Sequence, residues 1–259
     1  MLEENIQKFA DALFNAEQSR VQIAPLTDED PATTVDDAYA IQMRNIARAQ
    51  SMGHVVSGKK IGLTSVGIQQ QLGVHEPDYG HLFAAMDCPD GRVDTSQLIQ
   101  PKIEAEVAFV LAEDLEGGKV SAEDVRKATD YVVGAFEIVD SRVENWRIKL
   151  PDTVADNASS GRYVLGTKRI RLDDIDLPVE AMKQYKNDEL VETGTGAEVL
   201  GDPCTSVAWL ANKLWGYGVT LKKGEVVLSG AFSAAPVAKK GDKFRVEFTS
   251  LGTLEAEFV

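Results

Sequence analysis

The chain of 259 residues carries 27 Lys and Arg against 41 Asp and Glu, a formal charge of −14, and is 44% hydrophobic. That apolar content supports a real core and argues against disorder, while the negative charge argues against nucleic acid, whose affinity comes largely from Lys and Arg displacing counterions. The longest apolar stretches, such as Val107 to Ala112, fall far short of the roughly 20 residues a membrane helix needs. The start MLEENIQKFADALF has acids where a secretory leader needs a basic flank, so a cytoplasmic protein with no membrane partner is expected.

The first fifty residues are helical in pattern. Ile6, Phe9, Ala10, Leu13 and Phe14 fall on one stripe, and after a loop from Pro25 to Pro31, Thr34 with Asp37 forms a capping box that opens a second helix to about Gln50. These predict a helical covering segment over residues 1–54. From Val55 the texture changes to short β-type runs broken by glycine: VVSGKKIGL, IEAEVAFVLAEDL and YVVGAFEIVDSR, with a helix from Ser121 to Thr129 before the third. A hairpin is expected at MKQYKNDELVETG around Lys186 to Asp188, a helix over Cys204 to Leu214, and three closing strands at EVVLS, KFRVEF and TLEAEF, the last two joined through Ser250 to Gly252. Strands that alternate irregularly with helices and end in an antiparallel pair predict an α+β fold with a mixed, curled sheet over 55–259, although the whole chain also reads as one domain. Neither GxGxxG nor GxxxxGK[ST] occurs, which disfavours NAD and ATP.

Period-two alternation in PKIEAEVAFVL puts Ile103, Ala105, Val107, Phe109 and Leu111 on one face and Glu104 and Glu106 together on the other. Glu137 is the lone acid in the apolar run Tyr131 to Val139, and burying it requires a partner. The pattern leaves two arrangements open. Three glutamates converging from two strands would make a hard, oxygen-only site for Mg²⁺ or Mn²⁺. Alternatively, Glu104 and Glu106 lie on an edge strand in water and Glu137 meets an arginine such as Arg142.

Of the pair Lys59 and Lys60, one should face inward if the segment is a strand. His54, His75 and His81 show no ligand spacing, Cys88 and Cys204 are too far apart for a CxxC site and read as free thiols, and no GxSxG elbow supports serine chemistry. Trp146, Trp209 and Trp215 read as packing residues. Asp156 to Arg162 is a polar cluster suited to hydrogen-bonding a carboxylate, or a turn rich in the usual turn formers.

The motifs DAYAIQ, GKKIGLTS, QQLGVHEPDYGHL, QPKIEAEVAFVL, EIVDSR, DTVADNASSGRYVLG, GDPCTSVAWLANKL and the closing LSG-to-KKGD segment, in this order, resemble the bacterial 2-keto-4-pentenoate hydratase and 4-oxalocrotonate decarboxylase group of the fumarylacetoacetate hydrolase superfamily. The resemblance implies a β roll assembled as pentamers or decamers, with Glu104, Glu106 and Glu137 as ligands of Mg²⁺ or Mn²⁺. It further implies Lys60 and Asp78 at the reaction centre, and Leu63, Ser160 and Arg162 against the substrate.

The implied reaction is hydration of 2-hydroxypenta-2,4-dienoate in aromatic meta-cleavage catabolism: protonation at C5, then addition of water at C4 with Asp78 as base and Lys60 stabilising the oxyanion or shuttling protons. A sister reaction decarboxylates 2-oxohex-3-enedioate on the same metal site. Asp78 and DTVADNASSG favour the hydratase, because an acid has a task in adding water. Arg162 and the AAPVAKKGD ending favour the decarboxylase, with Arg162 able to hold a second carboxylate. A third reading, a silent subunit that stabilises a complex with a pathway partner enzyme, is opposed by the intact Glu104, Glu106, Glu137 and Lys60 set. Acylpyruvate hydrolysis, found elsewhere in the superfamily, lacks a histidine base.

Overall fold

The computed structural model describes every residue except 66, 68 and 71–73, so Gln71, Leu72 and Gly73 of the QQQLGV stretch lie outside the described residues. The N-terminal layer is α1 (Glu3–Ser19), α2 (Leu26–Glu29) and α3 (Val35–Ser51). On α1 the predicted stripe turns Phe9, Ala10 and Leu13 inward. The short α2 occupies the segment expected to be loop. One turn of helix persists there because Leu26 and Thr27 are buried, with Thr27 donating to Asp152 from both its backbone and its hydroxyl, at 3.0 and 2.8 Å. The Thr34 and Asp37 capping box forms as predicted.

Two sheets follow. In the first, β1 (Val56–Gly62), β2 (Asp78–Phe83), β4 (Lys102–Leu111), β5 (Thr129–Val139), β6 (Ser160–Leu165) and β9 (Val226–Ala231) run in the order β2-β1-β9-β4-β5-β6. The second contains β3 (Arg92–Val93), β7 (Ala181–Lys186), β8 (Glu189–Thr195), β10 (Lys243–Phe248) and β11 (Gly252–Phe258), ordered β3-β11-β10-β7-β8. Pairing is antiparallel except for β1 with β9 and β3 with β11. The closing strands therefore divide: β10 and β11 form the expected hairpin, whereas β9 returns to the centre of the first sheet. The β7–β8 turn holds Asn187 and Asp188 at φ 51° and 68°, the two positive-φ positions a tight hairpin demands.

The helices α4 (Ala122–Ala128), α5 (Leu150–Ala155) and α6 (Pro203–Trp215) pack around this roll. One hydrophobic core joins Phe9, Leu13 and Ile41 of the N-terminal layer to Ile103, Phe109 and Phe136 of the first sheet and to Phe244, Val246 and Phe258 of the second. A smaller cluster, including Ile46, Leu82, Ala108, Val133 and Leu228, lies on the other face of the first sheet beneath α3. Gln42 of α3 is fully buried, and its amide donates to the carbonyls of Tyr79 at 3.0 Å and Val154 at 2.9 Å, so one side chain ties β2 and α5 to the helical layer. Among the described residues no helix is long and apolar enough to cross a membrane.

Candidate metal centre

Strand β4 is central, hydrogen-bonded to β5 on one side and β9 on the other, which rules out the edge-strand arrangement. Its register sets Glu104 directly opposite Glu137, with Glu106 two pairs further along, opposite Ala135. Like charges directly opposite on a sheet repel, and here Glu106 and Glu137 are both wholly inaccessible to solvent.

Carboxylate oxygens of Glu104, Glu106 and Glu137 lie within 4.8 Å of one another. Among the described residues Glu106 Oε1 and Glu137 Oε2 accept no hydrogen bond, and Glu137 Oε1 has only the Lys60 ammonium, 3.2 Å away. Buried, convergent and unsatisfied anionic oxygens are costly unless a cation joins them, and an all-oxygen donor set suits a hard divalent ion such as Mg²⁺ or Mn²⁺. The other oxygen of Glu106 is fixed by a bulge: one extra residue in β9 between its pairings with Ala108 and Glu106 leaves Gly230 at φ 116°, its N–H donating to Glu106 Oε2 at 2.9 Å.

Lys60 is buried with its Nζ 3.2 Å from Glu137 Oε1. Burial alone would lower its pKa, but Glu137, Asp78, Glu104 and Glu106 outweigh that and raise it, so Lys60 stays charged. Lys59 is buried too and pairs with Glu225 at 2.8 Å; both lysines face inward, not one. Arg142 does not serve Glu137. It pairs with Asp156 and donates to the carbonyls of Asp140 and Ser160 at 2.7 and 2.9 Å, while Asp140 accepts from the backbone of Ile99 and Gln100. The EIVDSR motif thus supplies one ligand candidate, Glu137, and two structural pins.

Asp78 opens β2 opposite Gly62 and is 2% exposed. A Cβ on Gly62 would collide with Asp78 Oδ1 and press on Lys60 Nζ, so the glycine leaves room for these two side chains to converge. Burial raises the Asp78 pKa, opposed by Lys60 and by a hydrogen bond from Thr153. That hydroxyl lies 3.3 Å from Asp78 Oδ2 and 3.4 Å from Ser159 Oγ. Ser159 ends a run of three left-handed residues, Asn157, Ala158 and Ser159, at φ 55°, 49° and 55°. Such strain in non-glycine residues persists only when the surroundings enforce it: Asn157 is clamped through its amide to both backbone groups of His81, at 2.8 and 2.9 Å.

Lys60, Leu63, Asp78 and Glu104 line one cavity of about 380 Å³, together with Val139, Trp146, Thr153, Ser159 and Phe232. Trp146 is thus a wall residue as well as a packing one, its indole donating to the Gln100 carbonyl at 3.1 Å. Ser160 and Arg162 are elsewhere. Both line a separate cavity with Arg20, His54 and Arg142, Ser160 donating to the Asn157 carbonyl at 2.8 Å and Arg162 to Gln97 at 2.6 Å. After the left-handed run it is Ser159, not Ser160, that lines the cavity with Lys60 and Asp78. Thr153 was not singled out from sequence; its only signal was a place inside DTVADNASSG. His54 and His75 are exposed, and His81 is held neutral, its pKa pushed down to about 3 by burial and by Lys59.

Burial raises the pKa of Glu106, helped by Glu137 and Glu104, and that of Glu104, helped by Asp78, and with Glu104 and Asp78 takes that of Glu137 up to about 8 from its ordinary 4.5. The metal-free fold therefore holds protons that the unfolded chain has released, and its stability falls as pH rises from about 4.5 to about 8. A divalent ion binds only the deprotonated carboxylates. We expect the rise in Tm on adding Mg²⁺ to be larger at pH 8 than at pH 6; a rise that is equal or larger at pH 6 would contradict this proton count.

A β roll that brings the half-buried Glu104 and the buried Glu106 and Glu137 together beside a charged lysine has the donor set of a carboxylate-type divalent metal centre. The Fumarylacetoacetate (FAA) hydrolase C-terminal family model matches residues 83–259, and the chain belongs to that family. It is 47% identical over 253 residues to the 2-keto-4-pentenoate hydratase of Paraburkholderia xenovorans (strain LB400), covering 97% of this chain and 94% of the relative. It is 43% identical to the 2-hydroxyhexa-2,4-dienoate hydratase of Comamonas testosteroni, over 95% and 94% of the two chains. The structure superposes with a TM-score of 0.97 on the 4-oxalocrotonate decarboxylase from Pseudomonas putida G7 complexed with magnesium and adipate, at 38% identity over 100% of this chain and 99% of that one.

Proposed function

We propose that this chain is a cytoplasmic, divalent-metal-dependent lyase that hydrates 2-hydroxypenta-2,4-dienoate or a close homologue to a 4-hydroxy-2-oxo acid in aromatic meta-cleavage catabolism. The observation that carries this reading is the meeting of Lys60 and Asp78 over Gly62 in a cavity shared with Glu104. Glu104, Glu106 and Glu137 would hold Mg²⁺ or Mn²⁺, which supplies Lewis acidity to the oxygens of a bound 2-oxo acid. The charged Lys60 stabilises the oxygen that gathers electron density as the substrate changes from dienol to ketone with a proton taken up at C5. Asp78, whose pKa burial raises, accepts a proton from the water that adds at C4 and returns it to C3 of the enolate so formed. Thr153 keeps the Asp78 carboxylate oriented, and Val139, Trp146 and Phe232 limit bulk water. The 1–54 helical segment and the 55–259 roll act as one unit, assembled as a homo-oligomer of pentamer or decamer type and open to contact with a pathway partner enzyme.

Decarboxylation of 4-oxalocrotonate is the second reading, favoured by the close superposition on that enzyme. The test is the ultraviolet decay of 2-hydroxypenta-2,4-dienoate with protein and Mg²⁺, with and without a chelator. Rapid, chelator-sensitive decay with gain of one water by mass is expected. No decay, together with CO₂ release from 2-oxohex-3-enedioate, would establish the decarboxylase instead.

A further inference from the structure

The metal-ligand candidates come from the first sheet, but part of the cavity wall comes from the second, and it carries two carboxylates that the reaction above does not use. Glu192 on β8 pairs with Gln184 on β7. Met182 and Gln184 are buried while Lys183 between them is exposed, so Glu192, opposite Gln184, shares the inward face. Two residues on, a Cβ at Gly194 would strike the Phe232 carbonyl, which fixes this strand against the segment that closes the cavity. Glu198 lines the same cavity from the turn after β8.

Among the described residues the cavity lining offers one cation, Lys60, against Asp78, Glu104, Glu192 and Glu198, and none of residues 66, 68 and 71–73 is charged. Lys60 already sits against Glu137 at 3.2 Å. Arg162, the residue that sequence offered as an anchor for a second carboxylate, opens on the other cavity.

We infer that Glu192 and Glu198 are specificity-determining residues that turn away substrates carrying a second carboxylate, leaving the cavity to 2-oxo monocarboxylates with a short apolar tail. The inference rests on the reading that the cation end takes the 2-oxo acid group. A second carboxylate would then lie beside the half-buried Glu192 and the exposed Glu198, with no cation to meet it among the described residues. Rejection by an unpaired charge is a general route to specificity.

The experiment is calorimetry on the Mg²⁺-loaded protein with two probes that share the same head group, 2-oxopentanoate and 2-oxoadipate. Wild type is expected to bind the monocarboxylate at least about tenfold more tightly, with the preference shrinking as salt is raised. In Glu192→Gln with Glu198→Gln the ratio of the two Kd values falls toward one, and each single variant falls part of the way. Arg162→Gln keeps the wild-type ratio. A double variant with the wild-type ratio, a wild type indifferent to the second carboxylate, or a ratio that responds only to Arg162→Gln would overturn the inference. A hydratase with no preference between probes sinks this inference alone, whereas the expected ratio in a protein that does not hydrate the dienoate sinks the hydratase reading alone. Failure of both probes to bind removes both.

Discussion

Glu106→Gln is expected to abolish Mg²⁺-dependent turnover, by about 10³-fold or more, and at the same time to make the metal-free protein more stable. Glu106, like Glu137, is wholly enclosed. Burial, Glu137 and Glu104 all push its pKa up, against Lys60 and the Gly230 N–H. Glutamine preserves shape, and its carbonyl still accepts from Gly230, the bond now made at 2.9 Å, but it carries no charge toward Glu104 and Glu137. Removing a buried, incompletely satisfied carboxylate should raise metal-free stability by about 1–3 kcal/mol. The gain should grow with pH, because wild type must surrender cluster protons that the variant no longer needs. Thermal unfolding with and without Mg²⁺ reads both effects: a higher Tm without metal and little or no further rise on adding it. Retained turnover with an undiminished Mg²⁺ response would remove Glu106 from the ligand set, and a lower metal-free Tm would show that its charge is neutralised by groups other than an added cation.

What could be read from the sequence about this site followed from periodicity, and what could not followed from irregular backbone. The strict alternation in Lys102 to Leu111 put Glu104 and Glu106 on one face without any knowledge of neighbours, as did the capping box at Thr34 for α3. Whether that strand was central or at an edge depended on β9, a partner more than 110 residues away whose bulge at Gly230 has no local signal beyond the glycine itself. Arg142 looked like the natural mate for Glu137 by proximity in sequence, but a strand end and the turn after it sent its guanidinium to Asp156. Ser160 and Arg162 line a different cavity from Lys60 and Asp78 for one shared reason. The three left-handed residues from Asn157 to Ser159 change the phase of the side chains entering β6, and no propensity argument predicts three such conformations at Asn, Ala and Ser in succession. The resemblance to a known family pointed to the segment but could not say which of two adjacent serines lines the cavity with Lys60 and Asp78.

Asp78→Asn is expected to separate the two halves of the proposed reaction. Asparagine keeps the volume and an oxygen for the Thr153 hydroxyl, now 3.3 Å from Asp78 Oδ2, so binding of Mg²⁺ and of a 2-oxo acid should change by only a few fold. It cannot take a proton from water, and the loss of a positioned general base costs about 10²–10⁴-fold. Lys60, still surrounded by Glu137, Glu104 and Glu106, remains charged and continues to support the change from dienol to ketone. The variant should therefore consume the dienol absorbance of 2-hydroxypenta-2,4-dienoate, and in deuterated solvent label C5, while mass analysis finds no added water. Unchanged hydration would dismiss Asp78 as the base. Equal loss of the dienol decay and of hydration would mean that Asp78 acts before water is added, by placing Lys60 across Gly62 and not by receiving the water's proton; a matching loss of 2-oxo acid affinity would identify that positioning role.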